Sequence, residues 1–108
     1  MAGLLERYVQ FLQTGDAQSI ARLFAEDGEF YDGAPVKLGL EPIAVQGRAN
    51  IEAFFKQTFQ RGGMKVGNIA INGNAMRYDV TVGEWLLLCL GVATEENGLI
   101  KLYRVVAT

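Results

Sequence analysis

The spacing of apolar residues changes character at Gly62-Gly63, and that change limits the folds open to this chain. Before the glycine pair, apolar side chains recur mostly three and four residues apart; after it they recur two apart. Leu4, Leu5, Tyr8, Val9 and Leu12 predict an amphipathic helix over residues 2–14. Gly15 is placed to close it, and Asp16 to cap a second helix whose stripe is Ile20, Leu23 and Phe24. Asp27-Gly28 interrupts the pattern, and residues 29–33 read as a short strand. Pro35, Gly39 and Pro42 make residues 34–46 a connecting loop with a short strand at 43–45. A third helix follows Gly47, with Ile51, Phe54, Phe55 and Phe59 on one face.

Beyond the glycine pair every segment reads as strand. Met64 and Val66 share one parity while Ile69 and Ile71 share the other, which predicts a bulge near Gly67-Asn68. Asn72-Gly73 and Asn97-Gly98 are hairpin signals. Met76, Tyr78, Val80 and Val82 alternate with Arg77, Asp79 and Thr81, the pattern of a half-buried strand. Residues 85–94 are apolar on both parities, which predicts a central strand covered on both faces, and residues 99–107 close the sheet. The order is helix, helix, strand, helix, antiparallel meander. It predicts one α+β domain over residues 1–108, with helices packed on one face of a curved sheet.

Composition removes whole classes of chemistry. The 108 residues include no histidine, so triads built on imidazole and zinc sites of the H-E-x-x-H type are excluded. The single cysteine, Cys89, lies in an apolar run and reads as a small buried hydrophobe. Ten basic and twelve acidic residues leave a net charge of −2 with no basic cluster, an argument against nucleic acid and anionic membrane surfaces. The longest apolar run is far short of the ~20 residues that span a bilayer. The opening residues lack the basic-then-apolar form of a signal peptide, so a cytoplasmic chain is expected. No metal-ligand spacing and no cofactor motif is visible.

Few side chains are left to carry chemistry. Asp32 shares the parity of Phe30, so either a carboxylate points into apolar surroundings or Tyr31 faces inward and Asp32 is a solvated turn residue. In the first case desolvation raises its pKa, which suits a general base. Tyr8 lies on the apolar stripe of the first helix, either as an amphipathic core residue or as a hydroxyl donor aimed into a pocket. Asp79, on the polar parity with Arg77, reads as a surface charge; Glu84, Glu95 and Glu96 lie at turns and read as solvated. Phe54, Phe55, Phe59, Trp85 and Tyr103 read as core or pocket wall.

Taken in order, Arg7-Tyr8, Gly15-Asp16, Leu23-Phe24-Ala25-Glu26-Asp27 and Phe30-Tyr31-Asp32 resemble the opening of bacterial ketosteroid isomerases. Gly47-Arg48, Ile51 and Ala53-Phe54-Phe55 resemble the start and inner face of that family's third helix. Past Gly63 the likeness is confined to Ala75-Met76 and the hairpin at Gly98. The wider group is the superfamily of nuclear transport factor 2, scytalone dehydratase, limonene epoxide hydrolase and the small polyketide cyclases, including the SnoaL-like cyclases.

The resemblance implies a cone: a strongly bent antiparallel sheet wrapped around three helices, a deep apolar pocket, and homodimers formed through the outer sheet face. By position it implies that Asp32 is the general base and Tyr8 the oxyanion donor. Counting back from Gly98, the family's second oxyanion donor, a protonated aspartic acid, falls at Leu90 to within a residue or two. No acid occurs from Trp85 to Thr94. Leu90 therefore joins Phe54, Phe55, Phe59, Trp85 and Tyr103 in the expected binding set. The loop over residues 33–46 also looks longer than the family's and would reshape the pocket mouth.

The leading expectation is a cofactor-independent isomerase, or a cyclase, acting on a hydrophobic carbonyl compound. The competing expectations are a binding protein for a flat hydrophobic ligand and a module whose function is association. Epoxide hydrolysis would need a second aspartate beside Asp32 and Arg104, and none is evident.

Overall fold

The computed structural model of the chain describes residues 3–63 and 65–108, so the expected helical position of Ala2 and the parity of Met64 lie outside the described residues. Helix α1 (Leu4–Thr14) buries Leu4, Leu5, Tyr8 and Leu12, the stripe its spacing predicts. Gly15 follows at φ +72°, donating its N–H to the Phe11 carbonyl, so the helix ends in a left-handed turn that glycine adopts without steric penalty. Asp16 then caps α2 (Ala17–Arg22) by accepting the Ser19 N–H at 3.1 Å.

The chain leaves α2 earlier than its apolar stripe suggests. Leu23 and Phe24 are buried, but Leu23 is the turn residue and Phe24 opens β1 (Phe24–Asp32). Ile100 donates its N–H to the Leu23 carbonyl at 2.8 Å, and Arg48 donates Nε and Nη2 to the Phe24 carbonyl at 3.0 and 2.7 Å. These long-range bonds satisfy backbone acceptors that a further helical turn would otherwise use, and the tertiary contact overrides the local period.

Residues 34–46 contain a 3₁₀ turn (Ala34–Leu38) and strand β2 (Ile43–Gln46), after which α3 (Arg48–Gln60) begins. The meander is β3 (Lys65–Asn72), β4 (Ala75–Val82), β5 (Trp85–Glu96) and β6 (Leu99–Ala107); both expected hairpins form, the second turning on Asn97-Gly98 and the first one residue later than its signal, on Gly73-Asn74, with Asn72 paired to Ala75. The β3–β4 register shifts between Gly67 and Ala70, with Asn68 at φ +49°, which is the predicted bulge.

The six strands form one sheet in the order β2-β1-β6-β5-β4-β3. Neighbours are antiparallel except β1 and β6, which run parallel and are separated in the chain by α3 and the rest of the meander. The core fills the space between the helices and one face of this sheet. Phe30 stands at its centre, with ring centroids 5.5 Å from Phe54, 5.2 Å from Phe55 and 5.9 Å from Tyr103. This is the expected α+β architecture.

β5 departs from expectation. Its inward residues Cys89 and Ala93 are buried, but Leu86, Leu88, Leu90 and Val92 on the other parity are 60%, 54%, 37% and 45% exposed. A strand apolar on both parities is here covered on one face only, because the three helices pack against the same side of the sheet. Asp79 departs in the opposite direction. It is buried rather than solvated, with the Asn68 amide donating to its Oδ2 at 2.5 Å across the bulge.

Candidate functional site

The alternation that buries Phe30 also sends the Asp32 side chain to the inner face, which decides between the two orientations the sequence leaves open. Tyr31, on the opposite parity, faces outward under the Arg104 guanidinium, 5.1 Å from its ring centroid. Arg104 pairs with Tyr31 in the parallel ladder and Asp32 with Val105, so Arg104 stands on the far side of the sheet from the carboxylate. An acid–arginine arrangement around a water is thereby removed.

Asp32 and Tyr8 wall the same small cavity. Helix α1 contributes Tyr8, Val9 and Leu12; β3 contributes Val66 and Ile69; β4 contributes Met76, Tyr78 and Val80. Burial among these apolar groups raises the Asp32 carboxyl above its ordinary range, partly offset by the Ala34 N–H, which donates to Oδ1 at 2.9 Å. That bond fixes one carboxylate oxygen and orients the group. Burial also pushes the Tyr8 hydroxyl well above its usual value, with smaller contributions from Tyr103 and Asp32. Tyr8 is therefore a neutral donor in the same cavity as a carboxyl whose pKa burial raises, a pairing suited to moving a proton and stabilising an oxyanion.

Tyr78 is the lining residue that strand alternation alone does not single out as functional. It is half-buried in the cavity wall, and burial drives its hydroxyl far above the ordinary tyrosine range. Its signal was parity: the Met76, Tyr78, Val80 side of β4 faces the cavity, but nothing in the chain's own spacing tells a cavity wall from a packed core.

The expected binding set divides. Phe54, Phe55, Phe59 and Tyr103 belong to the packed cluster behind the cavity rather than to its wall, with Phe55 and Tyr103 fully buried. Trp85, 62% exposed at the start of β5, and Leu90 on its outer face lie away from the cavity. The count that placed the missing acid at Leu90 thus falls on the wrong parity, and the inward neighbours are Cys89 and Gly91. Neither is an acid. Burial pushes the Cys89 thiol up to about 11, which leaves it protonated and unreactive. At Gly91 a Cβ would lie 2.2 Å from the Tyr103 hydroxyl, so that hydroxyl occupies the volume a side chain would need. Among the described residues the buried Tyr103 hydroxyl has no hydrogen-bond partner.

A second, larger space opens at the mouth of the site. It measures about 420 Å³ against about 20 Å³ for the inner cavity, and the two meet at Asp32 and Val80. Its walls come from the 3₁₀ turn, β2 and the facing ends of β4 and β5. Among the described residues no group of histidine, cysteine or acidic side chains could hold a metal ion. No described helix is long and apolar enough to cross a membrane.

Comparison with known proteins bears on this geometry. No curated protein matches the sequence. Among solved structures, a protein from Sphaerobacter thermophilus has a TM-score of 0.76 at 16% identity, covering 97% of this chain and 93% of that one. A nuclear transport factor 2-like protein from Cytophaga hutchinsonii has a TM-score of 0.68 at 17% identity, covering 97% and 87%. A Kribbella flavida protein described as a candidate ketosteroid isomerase has a TM-score of 0.64 at 20% identity, covering 97% and 75%. At these identities the likeness is one of fold, and it is the nuclear transport factor 2-like fold. A family model for the SnoaL-like domain matches residues 5–98, from the first turn of α1 through Tyr8, Asp32 and all of β5. With the helices, sheet and cavity arranged as described, that match makes the chain a member of the SnoaL-like domain family.

Proposed function

We propose that this protein is a cofactor-independent enzyme that moves a proton α to a carbonyl in a hydrophobic small molecule. One observation carries the reading: a desolvated carboxylate, Asp32, and a buried hydroxyl, Tyr8, wall one apolar cavity. In an isomerisation, Asp32 takes the proton from the carbon between carbonyl and alkene, and the electron pair passes into an enolate. Tyr8 donates a hydrogen bond to the enolate oxygen. The same Asp32 then returns its proton to the far alkene carbon, leaving a conjugated enone with no net gain or loss of atoms or electrons. A cyclase uses the same first step, the enolate carbon then attacking a second carbonyl in the molecule. The missing acid on β5 makes a steroid itself a poor fit to the chemistry.

The test is conversion of a β,γ-unsaturated ketone to its conjugated isomer, followed by ultraviolet absorbance, in wild type and Asp32→Asn. Loss of a positioned general base lowers turnover by about 10²–10⁴. Equal turnover in the two proteins would remove Asp32 from the reaction. A binding protein for the same ligand class is the second reading, favoured by the inward face of β5, where Cys89, Gly91 and Ala93 offer no second donor acid.

The proposal includes assembly. Leu86, Leu88, Leu90, Val92 and Val106 form an exposed apolar strip across β5 and β6, and a second copy of the chain is the proposed cover.

A further inference from the structure

The inner cavity is too small to be the binding chamber. At about 20 Å³ it has little more room than the roughly 10–15 Å³ a single water needs, so it accepts one group the size of a carbonyl oxygen. The body of any ligand that reaches Asp32 must lie elsewhere. The cleft of about 420 Å³ shares Asp32 and Val80 with the cavity, and is the space that continues from the carboxylate.

The chemistry of that cleft is narrow. Leu38 and Leu40 from the loop, Ile43 from β2, and Val80 and Leu87 from the sheet supply apolar wall; Thr81 supplies a hydroxyl. Asp32 is the one ionisable side chain on the wall among the described residues, and no cation faces it there. A carboxylate, sulfonate or phosphate on the ligand would be desolvated beside a like charge with nothing to pair it. The loop forming the roof is tied to the base, because the Ala34 N–H that opens the 3₁₀ turn is the donor to Asp32 Oδ1.

We infer that the cleft roofed by residues 34–40 is the binding chamber, that it takes an uncharged apolar body, and that Leu38 and Leu87 select the ligand by shape and lack of charge. The carbonyl end of the ligand rests on the proposed proton transfer; the neutral apolar chamber does not.

Two fluorescent probes of one ring skeleton test this in the full-length chain: phenylnaphthylamine, which is neutral, and anilinonaphthalenesulfonate, which carries a sulfonate. With no counter-ion in the cleft, the neutral probe should bind at least about tenfold more tightly. Leu38→Arg, on an exposed loop, should reverse that order by supplying a cation. Leu88→Glu, on the outer face, controls for the exposed apolar strip and should leave both affinities unchanged. Equal affinity for the two probes, failure of Leu38→Arg to change their order, or loss of binding in Leu88→Glu would each overturn the inference. Neither probe has a carbonyl with an α proton to transfer, so the two readings fail separately. Binding as expected with no enone formed would sink the catalytic reading alone, and Asp32-dependent turnover with no probe binding would sink the chamber alone.

Discussion

On β5 from Leu88 onward the inward positions hold Cys89, Gly91 and Ala93, and the outward positions hold Leu88, Leu90 and Val92, so there the small side chains face inward and the large ones are exposed. An isolated domain would be built the other way. The inward side is crowded because Tyr103 reaches across from β6 and lays its hydroxyl over Gly91, which leaves no room for more than a hydrogen there. The outward side has nothing over it among the described residues. Fully burying a leucine or valine is worth about 1.5–3 kcal/mol, so four such residues on one strand, Leu86 included, favour a second surface strongly. The two faces therefore carry different burdens: the inner face walls the cavity, and the outer face leaves apolar side chains that the proposed second copy would cover.

The inner face should be the more fragile of the two. The largest effect after loss of the base is expected from Tyr8→Phe, which keeps the ring packed against Phe55 and Tyr103 but removes the donor. Losing one preorganised oxyanion donor lowers kcat by about 10²–10³. Steady-state kinetics on the β,γ-unsaturated ketone check this, and unchanged kcat would show that Tyr8 is packing alone.

Gly91→Ala comes next, and acts on stability. Its new Cβ would lie 2.2 Å from the Tyr103 hydroxyl and 2.7 Å from the ring carbon bearing it. Overpacking of this kind costs about 1–3 kcal/mol, to be read from urea unfolding. Adding Tyr103→Phe removes the nearest atom and should recover part of the loss. Tyr103→Phe alone should be neutral or stabilising, since it removes a buried hydroxyl that has no hydrogen-bond partner among the described residues. Equal loss in the single and double variants would mean the clash is with the ring carbons of residue 103, not the hydroxyl.

One position away, Leu90→Glu should leave the fold within about 0.5 kcal/mol of wild type, because its side chain meets solvent in the single chain. It should instead abolish association, measured by sedimentation at equal concentration. A wild-type protein that sediments as a monomer would break the comparison, since the outer strip would then be exposed without a partner.

The contrast between the faces also explains what could be read from the sequence. Periodicity placed α1, α3, both hairpins and the β3 bulge, because each depends on neighbours within a few residues. It lengthened α2 through Leu23 and Phe24, since the bonds from Ile100 and Arg48 that end the helix come from far along the chain. Both-parity apolarity on β5 predicted cover on both faces, and the chain covers only one, because periodicity reports a strand's preference and not what packs against it. Family resemblance brought Tyr8 and Asp32 together, and the structure seats them in one cavity. It also led to Leu90 by counting residues across strands, where an offset of one residue reverses the face. The loop at 34–46 was visible as an insertion; that it roofs a cleft and hydrogen-bonds Asp32 required coordinates.

The smallest expected effect is the most informative about the inner face, because it separates a site from a packing residue. Burial raises the Asp32 carboxyl above its reference value of 3.8 in the folded chain. Between the unfolded and folded values the native state binds the extra proton, so stability falls as pH rises through that window. Below 3.8 both states are protonated and the penalty is absent; above the folded value it is complete. Asp32→Asn removes the charge and keeps an oxygen to accept the Ala34 N–H. The variant should match wild type in acid and exceed it by a constant margin once Asp32 is ionised, as read from urea midpoints across a pH series. The same substitution that is expected to lower turnover should therefore stabilise the fold at neutral pH, the expected signature of a group kept for chemistry against its own solvation. A variant less stable than wild type at neutral pH would instead mark Asp32 as a structural anchor of the 3₁₀ turn.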